Sequence, residues 1–239
     1  MKDTTLMLQA LFFAHLLRDY VFQTDRIAIW KSRSVWGMLV HGGIVTFVTW
    51  LCAMPFALDW WPYALLIGTI HILIDVARTK IGKTDPATTL FLFLLDQALH
   101  ALVIVLVVSR SGWLAPHPAE TVLGAWLQEG HRLSFATGYV LLSMPAWVLV
   151  HFTIKGTGAE SKSLPGRPGE RYVGMIERGL IATFVMLGQF LLVPLVVAPR
   201  LALDGRNAHL ETERIGYLGE LLISVSLAVA VGLFLRGLA

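Results

Sequence analysis

Three pairs of ionisable residues stand four apart in the front half of the 239-residue chain: His15 and Asp19, with Gln23 four further on; His71 and Asp75; and, in reversed order, Asp96 and His100. Residues at i and i+4 share one face of an α-helix, and at 1.5 Å rise per residue each pair spans about 6 Å along the axis. His41 adds a further imidazole. Imidazole nitrogen and carboxylate oxygen suit Zn, Mn or Fe, and a carboxylate one shell out can orient a ligating ring. A divalent metal site thus has His15, Asp19, His41, His71, Asp75, Asp96 and His100 as candidate ligands, with Asp19, Asp75 and Asp96 as candidate catalytic carboxylates. Hydrolysis is the simplest chemistry for such a site, because the ion acidifies a bound water and polarises the phosphoryl or carbonyl group under attack. The chain contains no HExxH zincin motif, nucleophile elbow, Walker loop or CxxC pair.

The elements that must carry these groups are apolar. Hydrophobic residues make up 56% of the chain and charged residues only 15%, at a mean hydropathy of +0.67, where a soluble domain carries about a quarter charged residues. Seven runs approach the twenty or so residues needed to cross hydrocarbon: Leu6 to Phe22, Val35 to Phe56, Trp61 to Ala77, Ala87 to Val108, Phe135 to Ile154, Val173 to Val197 and Ile215 to Leu235. The expected fold is an all-α, seven-span transmembrane bundle, a single integral-membrane domain over residues 1–239. The first run lacks a basic leader and a small-x-small cleavage site, so it is read as retained. Cys52, the only cysteine, lies within the second run, which leaves no intrachain disulfide.

Lys and Arg set the orientation. Twelve fall on the side that receives the first, third and fifth run ends, six on the other, and Arg18 lies inside the first run. The positive-inside rule then places the N-terminus outside and the C-terminus in the cytoplasm. The net charge of +3 is mostly topology, and nothing calls for nucleic acid. In this topology His15, Asp19, His41, His71 and Asp75 fall in the inner half of the bilayer, while Asp96 and His100 count as deeper, about 14 to 20 Å from the cytoplasmic end. That depth favours a lipid or prenyl-type substrate, with Arg18, Arg78 or Lys80 available for a phosphate head group. Arg18 lies about 100° from Asp19 around a regular helix and is expected on another surface or at the edge of the polar stripe.

Two other readings of the cluster stand beside a metal site. One is a proton or ion pathway, with carboxylates at successive depths as stations of a transporter. The other is a packing network in a non-catalytic scaffold, where imidazoles and carboxylates bond across the bundle.

Elsewhere, Asp59 to Pro62 reads as a tight outer connection with its tryptophans at the interface. Ala119 to Gly130 has Val122, Leu123, Trp126 and Leu127 at the spacing of a short interfacial helix. Lys155 to Tyr172, rich in Gly, Ser and Pro, reads as a flexible cytoplasmic loop. In the back half Glu177 and Arg178 open the sixth run as an interfacial ion pair, Gln189 needs a partner if buried, Glu220 ranks low as a site residue, and Gly216 and Gly219 favour close helix contact.

HLLRDYVFQTD at His15 to Asp25, LVHGG around His41, HILID at His71 to Asp75, LLDQALH at the fourth run, GMIERGL and LGQF together resemble the bacterial integral-membrane family catalogued as domain of unknown function 3307. The resemblance runs over nearly the whole chain. It implies membrane location and a shared polar core, without a particular reaction. The family's first motif looks like His, Leu, Leu, Gly, Asp; here Arg18 stands in place of the small residue. APRLALDG, Ala198 to Gly205, keeps the family's later Lys-Ser-Leu/Ile-Arg-Phe pattern poorly. The His and Asp pattern is also loosely similar to families described as membrane-bound metal-dependent hydrolases.

Overall fold

A computed structural model describes residues 2–82, 84–111, 129–157, 168–204 and 211–239. All regular structure among them is helical: α1 Lys2–Leu16, α2 Asp25–Arg33, α3 Val35–Ala53, α4 Trp61–Lys80, α5 Pro86–Arg110, α6 Gly130–Leu142, α7 Met144–Gly156, α8 Pro168–Met186, α9 Val193–Asp204 and α10 Glu211–Arg236. A π-helical turn, Leu17–Val21, extends α1, and a 3₁₀ turn, Phe190–Leu192, precedes α9. The segment Ala119 to Gly130 falls almost entirely outside the described residues, as does most of the loop from Lys155 to Tyr172.

Among the described residues three helices are long and apolar enough to cross a membrane, Val35–Ala53, Pro86–Arg110 and Gly216–Arg236, and α6 with α7 makes a fourth if the pair, bent by 41°, counts as one span. The described residues thus form an all-helical structure with three to four such helices, against seven apolar runs in the sequence. The remaining runs fall short for local reasons. Regular α-helix stops after 15 residues in α1. α4 has the length, at 20 residues, but carries His71, Asp75, Arg78 and Lys80. The sixth run is cut at Gly188, whose φ of 75° belongs to the left-handed region that glycine enters freely.

Local chemistry explains the helix ends. Thr24 caps α2 by accepting from Ile27 N, and Ser34 caps α3 by accepting from Trp36 N. Asp85 caps α5 by accepting from Thr88 N at 3.0 Å, and the hydrogen bonds from Thr88 hold its carboxyl below the usual carboxylate range.

The contacts divide the chain into two compact units, Met1–Thr84 with Leu92–Thr137, and Asp85–Phe91 with Gly138–Ala239. The core of the first joins Met7, Leu11, Phe56, Trp60, Ile67, Ile104 and Leu133, with Ala14, Val48 and Cys52 packed as a smaller group. Trp60, expected at an interface, is thus a core residue at 2% exposure, whereas Trp61 is exposed. On α5, His100, Ile104, Val107 and Val108 are buried while Leu99, Leu102, Val105 and Leu106 face out. Such an apolar outer face is costly in water and costs nothing against hydrocarbon. In the second unit α8 packs along α10. A Cβ on Gly232 would lie 2.8 Å from Ala182 O, and one on Gly219 would lie 2.7 Å from Ile154 Cδ1, so Gly219 serves close helix contact as expected.

Candidate metal centre

Close packing of α3 on α4 brings the histidines together. A Cβ on Gly42 would collide with the Ile72 side chain, and one on Gly68 would collide with Thr46 Oγ1. These two glycines let the helices approach where His41 and His71 project. α1 joins them through its π turn, marked by Phe22 N donating to Leu17 O at 2.8 Å. Such wide turns recur at functional sites because they re-aim side chains within a helix.

Four ligand atoms converge. His41 Nε2 and His71 Nε2 lie 3.0 Å apart. Asp19 Oδ1 is 4.0 Å from His41 Nε2 and 3.7 Å from His71 Nε2, and Asp75 Oδ2 is 3.6 and 3.5 Å from the same two atoms. Ligands held 2.0–2.2 Å from one ion at tetrahedral angles stand about 3.3–3.6 Å apart. The observed spacings bracket that interval. Asp19 Oδ1 accepts no hydrogen bond among the described residues despite its burial, and the facing Nε2 atoms require either one proton or a cation between them.

His15 backs the first carboxylate. Its Nδ1 is 3.0 Å from Asp19 Oδ2 and 3.4 Å from Arg18 Nη2. The carboxylate can only accept, so the shorter contact puts the proton on Nδ1 and orients Asp19. Arg18, at 1% exposure, donates Nη1 to Thr49 Oγ1 at 2.7 Å and lies 3.7 Å from Asp19 Oδ1. It is an interior counter-charge and not a surface cation: the π turn carries it onto the polar face that a regular helix would deny it. Lys31 on α2 donates to Asp75 Oδ2 at 2.8 Å. In the sequence Lys31 counts only towards topology, and α2 lies between the first two apolar runs. Thr24 before an Ile27–Trp30–Lys31 spacing is the signal that marks it.

His100 stands beside this set. Its ring centroid is 4.2 Å from that of His71, and His71, Asp75 and His100 can form a second triad of ligand atoms within 4.8 Å of one another. His100 Nδ1 donates to the backbone oxygen of Asp96 at 2.7 Å, which leaves Nε2 bare, buried and without a hydrogen-bond partner among the described residues. Among the described residues the two ligand triads are Asp19, His41, His71 and His71, Asp75, His100, and Asp96 belongs to neither. Its Oδ2 accepts from Gln97 Nε2, and Gln97 Oε1 accepts from Tyr20. Of the seven candidate ligands, four form the close set, His15 and His100 flank it, and Asp96 lies outside.

The back half has a separate polar group. Glu177 accepts from Arg200 at 3.0 Å instead of pairing with Arg178, and Glu220, at 2% exposure, lies 3.7 Å from Arg200. Gln189 is exposed at the break after α8 and has no burial to compensate.

No curated protein and no solved structure matches the chain at a meaningful level. The family described as Protein of unknown function (DUF3307) matches residues 7–126, the stretch that holds every residue of the centre. The family's shared segment and the converging His and Asp side chains coincide, and the chain belongs to that family.

Proposed function

We propose that this chain is a membrane-embedded, metal-dependent hydrolase acting on a lipid-like or phosphorylated substrate, with Asp19, His41, His71 and Asp75 holding one Zn, Mn or Fe ion. The observation that carries the reading is the approach of Asp19 Oδ1 and Asp75 Oδ2 to the paired Nε2 atoms of His41 and His71, at 3.0–4.0 Å, with the four side chains drawn from three helical segments. Two neutral imidazoles and two carboxylates balance a divalent charge, which removes the cost of burying the carboxylates beside each other. By taking a fifth ligand beside these four, the ion would supply an acidified water and a Lewis acid for the attacked group. His15 holds Asp19 in place, Arg18 neutralises the interior, and the His41 and His71 rings are sealed from water. In this reading all seven apolar runs lie in a bacterial inner membrane, with the N-terminus outside and the C-terminus cytoplasmic.

Elemental analysis of the detergent-purified chain after metal-replete growth tests the site. Near-stoichiometric Zn, Mn or Fe is expected, and Asp75→Asn should remove it while the protein remains monodisperse. A wild-type protein that emerges without metal would make the same contacts a packing network, the scaffold reading.

A further inference from the structure

The imidazoles of the centre are sealed, and Lys31 keeps more exposure than any of the four ligand side chains. His41 and His71 side chains are 1% and 2% exposed, against 11% for Asp19, 12% for Asp75 and 19% for Lys31. The more open side is therefore the one that Lys31 and Asp75 share. Lys31 does not reach there by default. α2 has no buried residue, and a free lysine stem on it would lose rotamer entropy on being fixed. The helix is clamped instead. A Cβ on Gly37 would lie 2.5 to 2.7 Å from Trp30 C, Trp30 O and Lys31 N, so backbone of α2 rests directly on α3 beside Lys31.

Charge then says what the open side lacks. Asp19 and Asp75 balance a divalent ion. Arg18 and Lys31 set against Asp96 leave one positive charge over. Arg18 is spent in the interior on Thr49 and Asp19. Lys31 is not spent: an ammonium has three donors, and the bond to Asp75 Oδ2 uses one.

Resting on the metal-site reading above, we propose that Lys31 is the substrate-anion contact, and that the centre takes a phosphate ester with one phosphoryl oxygen on the ion and a second on Lys31 Nζ. A carboxylic ester or amide offers a single uncharged carbonyl oxygen and leaves the surplus charge unmet. A phosphate ester meets both groups, whether it comes as a lipid head group or as a soluble compound.

Inorganic phosphate is the probe, titrated into metal-loaded, detergent-purified full chain and followed by calorimetry. Wild type should bind phosphate in preference to acetate. Lys31→Met should weaken phosphate binding about tenfold to hundredfold while elemental analysis shows the ion retained, and Lys31→Arg should recover part of the loss. Equal phosphate affinity in wild type and Lys31→Met, no phosphate binding at all, or acetate bound as tightly as phosphate would each overturn the assignment. If wild type retains no metal, the hydrolase reading falls separately; a Lys31-dependent phosphate site in that metal-free protein still supports the lysine's role, and its absence refutes it. Nanodiscs with phosphatidic acid, compared with glycerol 3-phosphate in solution, then separate a lipid from a soluble source by which of them shows the Lys31 dependence.

Discussion

His41 and His71 meet Nε2 to Nε2 at 3.0 Å, from helices that are thirty positions apart in sequence, at a point which two carboxylate oxygens also approach. Two ring nitrogens face each other at that distance only with a proton or a cation between them. If it is a metal ion, cobalt(II) loaded into the protein should show the strong visible absorption of a four-coordinate ion with N and O ligands. His41→Ala and His71→Ala should each abolish that band. A wild-type spectrum that stays weak, as for an ion free in an octahedral water shell, would leave an N–H···N hydrogen bond as the bridge.

His15 should act on the ion only through Asp19. It is not one of the four converging residues, yet its Nδ1–H fixes Asp19 Oδ2 at 3.0 Å. Loss of such an orienting partner costs about 10–100-fold in metal affinity without removing the site. Chelator competition on His15→Ala should therefore give a weakened but saturable site, in contrast to the complete loss expected for Asp19→Ala. Equal affinity in wild type and His15→Ala would make the His15 to Asp19 contact incidental.

The legible parts of the site were those written at helical spacing. His71 and Asp75 lie one turn apart on a regular helix, so their shared face followed from sequence, as did the common stripe of His15 and Asp19. Arg18 did not follow, because the 100° step assumes a regular helix and Leu17–Val21 is a π turn. Asp96 has the right spacing from His100, but its backbone oxygen takes the imidazole proton and its carboxylate is drawn to Gln97. Lys31 depends on how α2 docks, which is decided by a glycine on the next helix. Hydropathy also does not register a backbone reversal, and so the sixth run reads as continuous through Gly188.

Arg178 should matter to the fold of the second unit and not to the metal. The break between α6 and α7 frees carbonyl groups at Leu142 and Ser143, and buried Arg178 donates Nε to the first at 2.7 Å and Nη2 to the second at 3.0 Å. Each lost bond from a charged donor to a buried carbonyl costs about 1.5–3 kcal/mol. Arg178→Met should lower the thermal midpoint in detergent by several degrees with metal content unchanged. Metal loss in that variant with an unchanged midpoint would assign Arg178 to the centre instead.

Gly37 and Gly43 lie on the same helix and offer a matched pair of substitutions. A Cβ at Gly37 would press on backbone atoms of Trp30 and Lys31, which cannot give way as a side-chain tip can, whereas a Cβ at Gly43 meets nothing within 4 Å. Gly37→Ala should therefore push α2 off α3 and draw Lys31 away from Asp75, while the ligands His41, His71, Asp19 and Asp75 stay on their own helices. Gly43→Ala should behave as wild type or gain slightly from helix propensity. In measured terms, Gly37→Ala should retain metal and lose phosphate affinity to about the level of Lys31→Met, a tenfold or greater fall. If Gly37→Ala keeps wild-type phosphate affinity, the docking of α2 does not control Lys31. If it loses the ion as well, α2 supports the ligand helices themselves.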